Sequence, residues 1–173
     1  STWRRLTRTI DLTSVTAAQA PKLQAMVSYS TEARYDHVLL EARTAGGDDW
    51  TTLPDENGRS SSTVPIECEQ GYFMNMHPHL GRYLTAGNPC QNTGSSGGWN
   101  SFTGSSNGWV PVSFDLSAYA GKQVEVSFAY VSDPFTGGTG LFVDETKVTT
   151  SGGDLDSEGF ESGLGPWAIA GAP

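Results

Sequence analysis

Apolar and polar positions alternate with a period of two along most of the chain, the pattern of strands that bury one face. Lys122 to Val131 is the cleanest run, with Val124, Val126, Phe128 and Tyr130 on one face. Lys22 to Tyr29 places Leu23, Ala25, Val27 and Tyr29 together. Trp109 to Leu116 does the same with Val110, Val112 and Phe114. Trp3 to Leu12 reads as a strand with imperfect alternation, and Leu141 to Thr149 as a further one. Tyr35 to Arg43, the turn at 45–49 and Trp50 to Leu53 read as a hairpin. Residues 151–162 are acidic and glycine-rich, and Gly165 to Ala170 reads as a candidate last strand. Helical periodicity is confined to short stretches around 14–20 and 70–76. The pattern predicts an all-β fold, a two-sheet antiparallel sandwich of jelly-roll type.

Residues 54 to about 100 interrupt this rhythm. They hold Asp55-Glu56-Asn57-Gly58, a serine run, an aromatic stretch and a Gly/Ser/Asn-rich segment. A loop of this length in a compact domain needs its own explanation. We read a single domain over 1–173, an insertion at about 54–100, and an acidic C-terminal segment at 151–173 that is a candidate permuted strand.

Composition narrows the class. The chain has 173 residues, 10% aromatic and 17% charged, with 21 Gly. Aromatics at this level argue for a packed core, and the Ser/Thr/Gly bulk argues against helix bundles. The net charge is −9, so nucleic acid and anionic membranes, which need a cationic footprint, are not expected partners. No apolar run approaches the roughly 20 residues that span a bilayer. Lysine is scarce and the cysteine count is even, which points to a secreted, extracellular protein and an excised piece of a longer one. Cys68 and Cys90 are expected to close the insertion with a disulfide; two free thiols are the alternative.

Three stretches together carry a resemblance. Tyr29-Ser30-Thr31-Glu32-Ala33-Arg34-Tyr35-Asp36-His37-Val38 leads to Gly46-Gly47-Asp48-Asp49-Trp50. Phe102-Thr103-Gly104-Ser105-Ser106-Asn107-Gly108-Trp109 leads to Phe114-Asp115-Leu116-Ser117-Ala118-Tyr119. Phe128-Ala129-Tyr130-Val131-Ser132-Asp133 leads to Gly140-Leu141-Phe142-Val143-Asp144. This order resembles the jelly-roll accessory domain of immune inhibitor A-type metallopeptidases, of the MAM/galactose-binding-like kind, which is also appended to secreted bacterial zinc carboxypeptidases. Glu158 to Trp167 looks like the opening motif of such domains, placed here at the end. The resemblance implies a non-catalytic domain that stabilises a secreted bacterial metallopeptidase or engages protein substrate or cell surface. Its first partner would be the peptidase catalytic domain of the same parent chain.

The resemblance also implies structural calcium. By position, Glu32, Asp36 and Asp144 carry over as ligands, with Asp133 as a fourth. The physical argument runs the same way: acids packed together repel, and calcium takes roughly 6–8 oxygens. The competing reading pairs Glu32 with Arg34 or Arg82 and has Asp36 cap a turn.

No catalytic constellation is present. The chain has no His-Glu-x-x-His pair and no Gly-x-Ser-x-Gly elbow. His77-Pro78-His79, with Glu67 or Glu69, is a weak zinc cue. Trp99 and Asn100, in their flexible-looking segment, and Tyr72 are candidate ligand contacts. They support the alternative function, a carbohydrate-binding module of a secreted enzyme, in which an exposed ring stacks on a sugar. Core packing is the competing role of the tryptophans, Trp50 and Trp109 above all. Tyr72 and Phe73 are expected to pack over one open end of the sandwich.

Overall fold

The computed structural model describes residues 1–173. The strands are β1 (Thr2–Asp11), β2 (Lys22–Ser30), β3 (His37–Thr44), β4 (Thr51–Thr52), β5 (Val110–Asp115), β6 (Gln123–Ser132), β7 (Gly140–Thr150), β8 (Gly153–Glu158) and β9 (Ala168–Ala170). One short α-helix, α1 (Tyr72–Met76), lies between β4 and β5, flanked by two 3-10 turns. No helix is long and apolar enough to cross a membrane.

A five-stranded sheet, β4-β3-β6-β1-β9, faces a four-stranded sheet, β5-β2-β7-β8, and every pairing is antiparallel. The all-β sandwich is therefore as the alternation predicts. The alternating residues interdigitate between the sheets: Leu23, Ala25 and Val27 of β2 meet Val38, Leu40 and Ala42 of β3 and Val124, Val126 and Phe128 of β6 in one core. β3 and β4 pair as the expected hairpin, Glu41 opposite Thr52.

The insertion departs from expectation. It covers the outer face of the five-stranded sheet, not an open end of the sandwich. There it builds a second core in which Trp3, Leu39, Ala129 and Val131 from the strands meet Trp50, Phe73, Leu80, Tyr83, Leu84 and Trp99. Both faces of β3 are thereby buried from His37 to Ala42. Residues of opposite parity on β3 and β6 serve two different cores. The Cys68–Cys90 disulfide, with 22 residues of sequence separation, ties the base of this layer together.

The acidic segment contains a strand, β8, that no apolar alternation marks. β8 adds to the edge of the four-stranded sheet beside β7, and the chain then crosses to pair β9 with β1. Trp167, in that crossing, is buried against Phe128 and donates its indole N–H to Thr146 Oγ1 at 3.1 Å. Arg8 faces the same core edge, 8% exposed, and grips Asp156 of β8 with both guanidinium nitrogens at 3.0 and 2.8 Å. β8 lacks apolar alternation because it is an edge strand with exposed residues on both sides. Its ladder with β7 and this bidentate pair, not a hydrophobic pattern, hold it in place.

Candidate functional site

Four acidic side chains gather where the β2–β3 turn, the β6–β7 loop and the insertion meet. Glu32 and Asp36 are held one helical turn apart: the N–H of Asp36 donates to the Glu32 carbonyl at 2.9 Å. Thr31 and Thr103 hydroxyls both donate to the Asp36 carbonyl, pinning the turn to the segment that leads from the insertion to β5. The Asp36 side chain is fully buried. One oxygen accepts the main-chain N–H of Asp133 at 3.1 Å and the other the Tyr130 hydroxyl at 3.3 Å. Asp133, 6% exposed, in turn accepts the Phe135 N–H at 2.9 Å.

Glu67 completes the group from the insertion. The Ile66 N–H donates to the Arg34 carbonyl, which docks the residues before Cys68 against the β2–β3 turn. Glu32 Oε2 and Glu67 Oε2 are both buried without a hydrogen-bond partner. Burial first, then the Asp133 and Asp36 carboxylates, push the Glu32 carboxyl above the usual range. Burial, then Asp133, Glu32 and Asp36, do the same to Glu67. Burial and the Asp36 charge push the Tyr130 hydroxyl up to about 12. The group is thus a knot of uncompensated negative charge, with no cation of the protein's own inside it. Arg34 donates to the Val64 carbonyl and Arg82 pairs with Asp48, so neither neutralises Glu32.

Asp144 does not join this group. It lies on β7 opposite Met26, on the outer face of the four-stranded sheet, and its carboxylate accepts the Glu145 N–H at 2.8 Å. A register shift in β2–β7 between Gln24 and Met26, with Glu145 at φ 51°, fixes it there. Sequence spacing had no means of finding Glu67, whose position depends on how the insertion docks. No three His, Cys, Asp or Glu side chains stand close enough to close round a metal ion in this conformation. The two orphaned carboxylate oxygens nonetheless present the hard, anionic donors that calcium takes.

The remaining candidates fall elsewhere. His77 meets the Ser132 carbonyl at 2.8 Å, while His79 meets the Tyr83 hydroxyl at 3.0 Å and Glu41 at 3.3 Å. Each imidazole is spent on anchoring the insertion, which leaves the zinc reading no shared site. Trp99 is 1% exposed and donates its indole N–H to the Thr63 carbonyl, so it offers no face to a ligand. Asn100 donates to the Thr52 carbonyl. Tyr72, on the outer side of α1, is exposed. Trp50 is buried as core packing requires, with Arg43 over its ring at 4.5 Å, but Trp109 is not: it is 51% exposed.

The model of the family described as "Immune inhibitor A-like, MAM domain" matches residues 74–172. A "Pre-pro-metalloprotease PrtV" of Vibrio cholerae serotype O1, strain M66-2, is 37% identical over 97 residues, 54% of this chain and 10% of that protein. The same values hold for its counterpart in strain ATCC 39315 / El Tor Inaba N16961. The chain thus spans about a tenth of the length of the curated relatives it matches. The family match takes in two of the three stretches that carry the resemblance, together with β5 to β9 and Trp167. With the two-sheet sandwich those strands build, it places the chain in the immune inhibitor A-like MAM domain family.

Proposed function

We propose that this chain is a non-catalytic accessory domain of a secreted bacterial metallopeptidase, joined in its parent to the catalytic domain. There it stabilises the enzyme or helps it engage protein substrate or the cell surface. Calcium bound by Glu32, Asp36 and Asp133, with Glu67 from the insertion, holds together one end of the fold. The observation that carries the calcium reading is the pair of orphaned oxygens on Glu32 and Glu67 beside the buried Asp36 and Asp133. A divalent cation supplies the missing countercharge, and binding only the folded state raises stability by mass action. Asp36 and Asp133 are already fixed by main-chain and hydroxyl donors, so the two glutamates are the groups free to turn toward the ion.

The test compares melts in excess calcium and in chelator. The wild type should melt higher in calcium, and Glu32→Gln and Glu67→Gln should each shrink that shift. Asp144→Ala should leave it intact. Equal wild-type melts in both buffers would reject calcium, and a full shift in both glutamine variants would reject these ligands. For the accessory role, the purified chain should not hydrolyse casein; hydrolysis that co-purifies with it through successive columns would overturn the reading.

A further inference from the structure

The insertion covers one sheet and reaches the outer face of the other only along β5, where Glu56 meets Ser113 and Lys22 and Asn57 meets Pro111. On that face Ser28 pairs with Phe142, and Trp109 directly precedes Val110, which pairs with Val27 at the start of β5, so one further step of that register brings Trp109 to the other side of Ser28. Trp109 is 51% and Phe142 54% exposed, one on each flank of the small serine. Two strand spacings set the two side chains roughly 10 Å apart. The next row is Pro111, Met26 and Asp144. Beyond it Gln24, Ser113 and Lys147 help line a shallow cavity of about 410 Å³ that also takes in Met26 and Pro111. Neither aromatic belongs to either core. The chain buries its other four tryptophans, Trp3, Trp50, Trp99 and Trp167. Two half-exposed rings on one sheet face leave aromatic surface that neither core uses.

We infer that this face binds an extended, flat polysaccharide of β-linked pyranoses. The C–H faces of two sugar rings lie on Trp109 and Phe142, and hydroxyls further along the chain reach Asp144, Gln24 and Lys147. The combination of a small apolar platform with a few polar groups at the same level is what a sugar requires. A stable protein partner needs about 800 Å² and 20–30 residues a side, centred on an apolar patch. Here the apolar strip is four side chains, Trp109, Phe142, Met26 and Pro111, and charge begins immediately beside it. The inference goes beyond the accessory role and does not use the acidic group, so its failure would leave the calcium-dependent melt untouched.

Affinity electrophoresis of the 173-residue chain tests it, in native gels cast with hydroxyethyl cellulose, glycol chitin, soluble starch or gelatin. At least one of the two β-linked glycans should retard the wild type, and starch and gelatin should not. Trp109→Ala and Phe142→Ala should each weaken retention roughly tenfold or more while melting like the wild type. Unchanged mobility with both β-linked glycans would overturn the proposal, as would retention that both variants keep. Retention by starch would refute the flat-chain ligand. Retention by gelatin that the variants lose would reassign the face to protein.

Discussion

The Tyr83 hydroxyl donates to the fully buried Glu41 carboxylate, a hydrogen bond that joins the insertion to the outer face of β3. His79 approaches both groups from the side, while Glu41 Oε1 has no partner. Glu41 therefore relies on two insertion residues for its compensation. Tyr83→Phe removes the donor and leaves the charge buried, and should lower unfolding free energy by about 1–3 kcal/mol in urea titration. A cost within error of zero would mean that Glu41 is not compensated through Tyr83.

Reducing the Cys68–Cys90 bridge, or replacing both cysteines by serine, releases a closed loop of 22 residues' separation. The chain-entropy expectation is a loss of about 3 kcal/mol. Because this loop carries Phe73, Leu80, Tyr83 and Leu84 of the second core, its loosening should expose hydrophobic surface and raise dye binding before global unfolding. Thiol titration of the denatured, unreduced protein should find no free thiol.

His37 is buried between Phe73 and Trp99, with Ser101 on Nδ1 and nothing on Nε2. Burial lowers its pKa from 6.5 to about 3. The unfolded chain takes up this proton first, so the stability of the neutral form is fully present above 6.5 and is lost as pH falls toward about 3. Within that window His37 should contribute a slope of up to about 1.4 kcal/mol per pH unit. Unfolding titrations across the range should show the slope, and His37→Gln should flatten it.

Glu32 and Glu67 have the opposite sign. Their folded pKa values are raised, so the repulsion is fully present above the folded values and is relieved as pH falls through them. A bound cation relieves it at neutral pH instead. The calcium-minus-chelator difference in melting temperature should therefore be largest near neutrality and shrink on acidification. Taking the difference cancels the His37 effect, which is common to both buffers. A difference that stays constant down to about pH 4 would contradict the assignment.

β2, β5 and β6 were legible in the sequence because one buried face imposes strict alternation on each. β8 was not, since an edge strand with exposed residues on both sides has no pattern to read, and Arg8 and Asp156 meet across 148 positions. Trp109 had a usable signal: Val110, Val112 and Phe114 point inward, so the preceding residue must point outward. Trp99 had none, because its burial depends on how the insertion folds back over β3. Glu32, Asp36 and Asp133 come together because the ends of β2, β3 and β6 meet. Asp144 looks equivalent in the sequence but is held on the far sheet by its pairing with Met26.

The sequence by itself determined the class of fold, the two-sheet core, the disulfide partners and the family. These rest on local periodicity, cysteine count and contiguous motifs, which survive being read one residue after another. Only the tertiary structure decided that β3 serves two cores, that Glu67 joins the acidic group, and that Trp109 and Phe142 share a face. Each of these depends on contacts between segments far apart in the chain. Their energies come from burial and charge at the place where the segments meet, and no local pattern records that place.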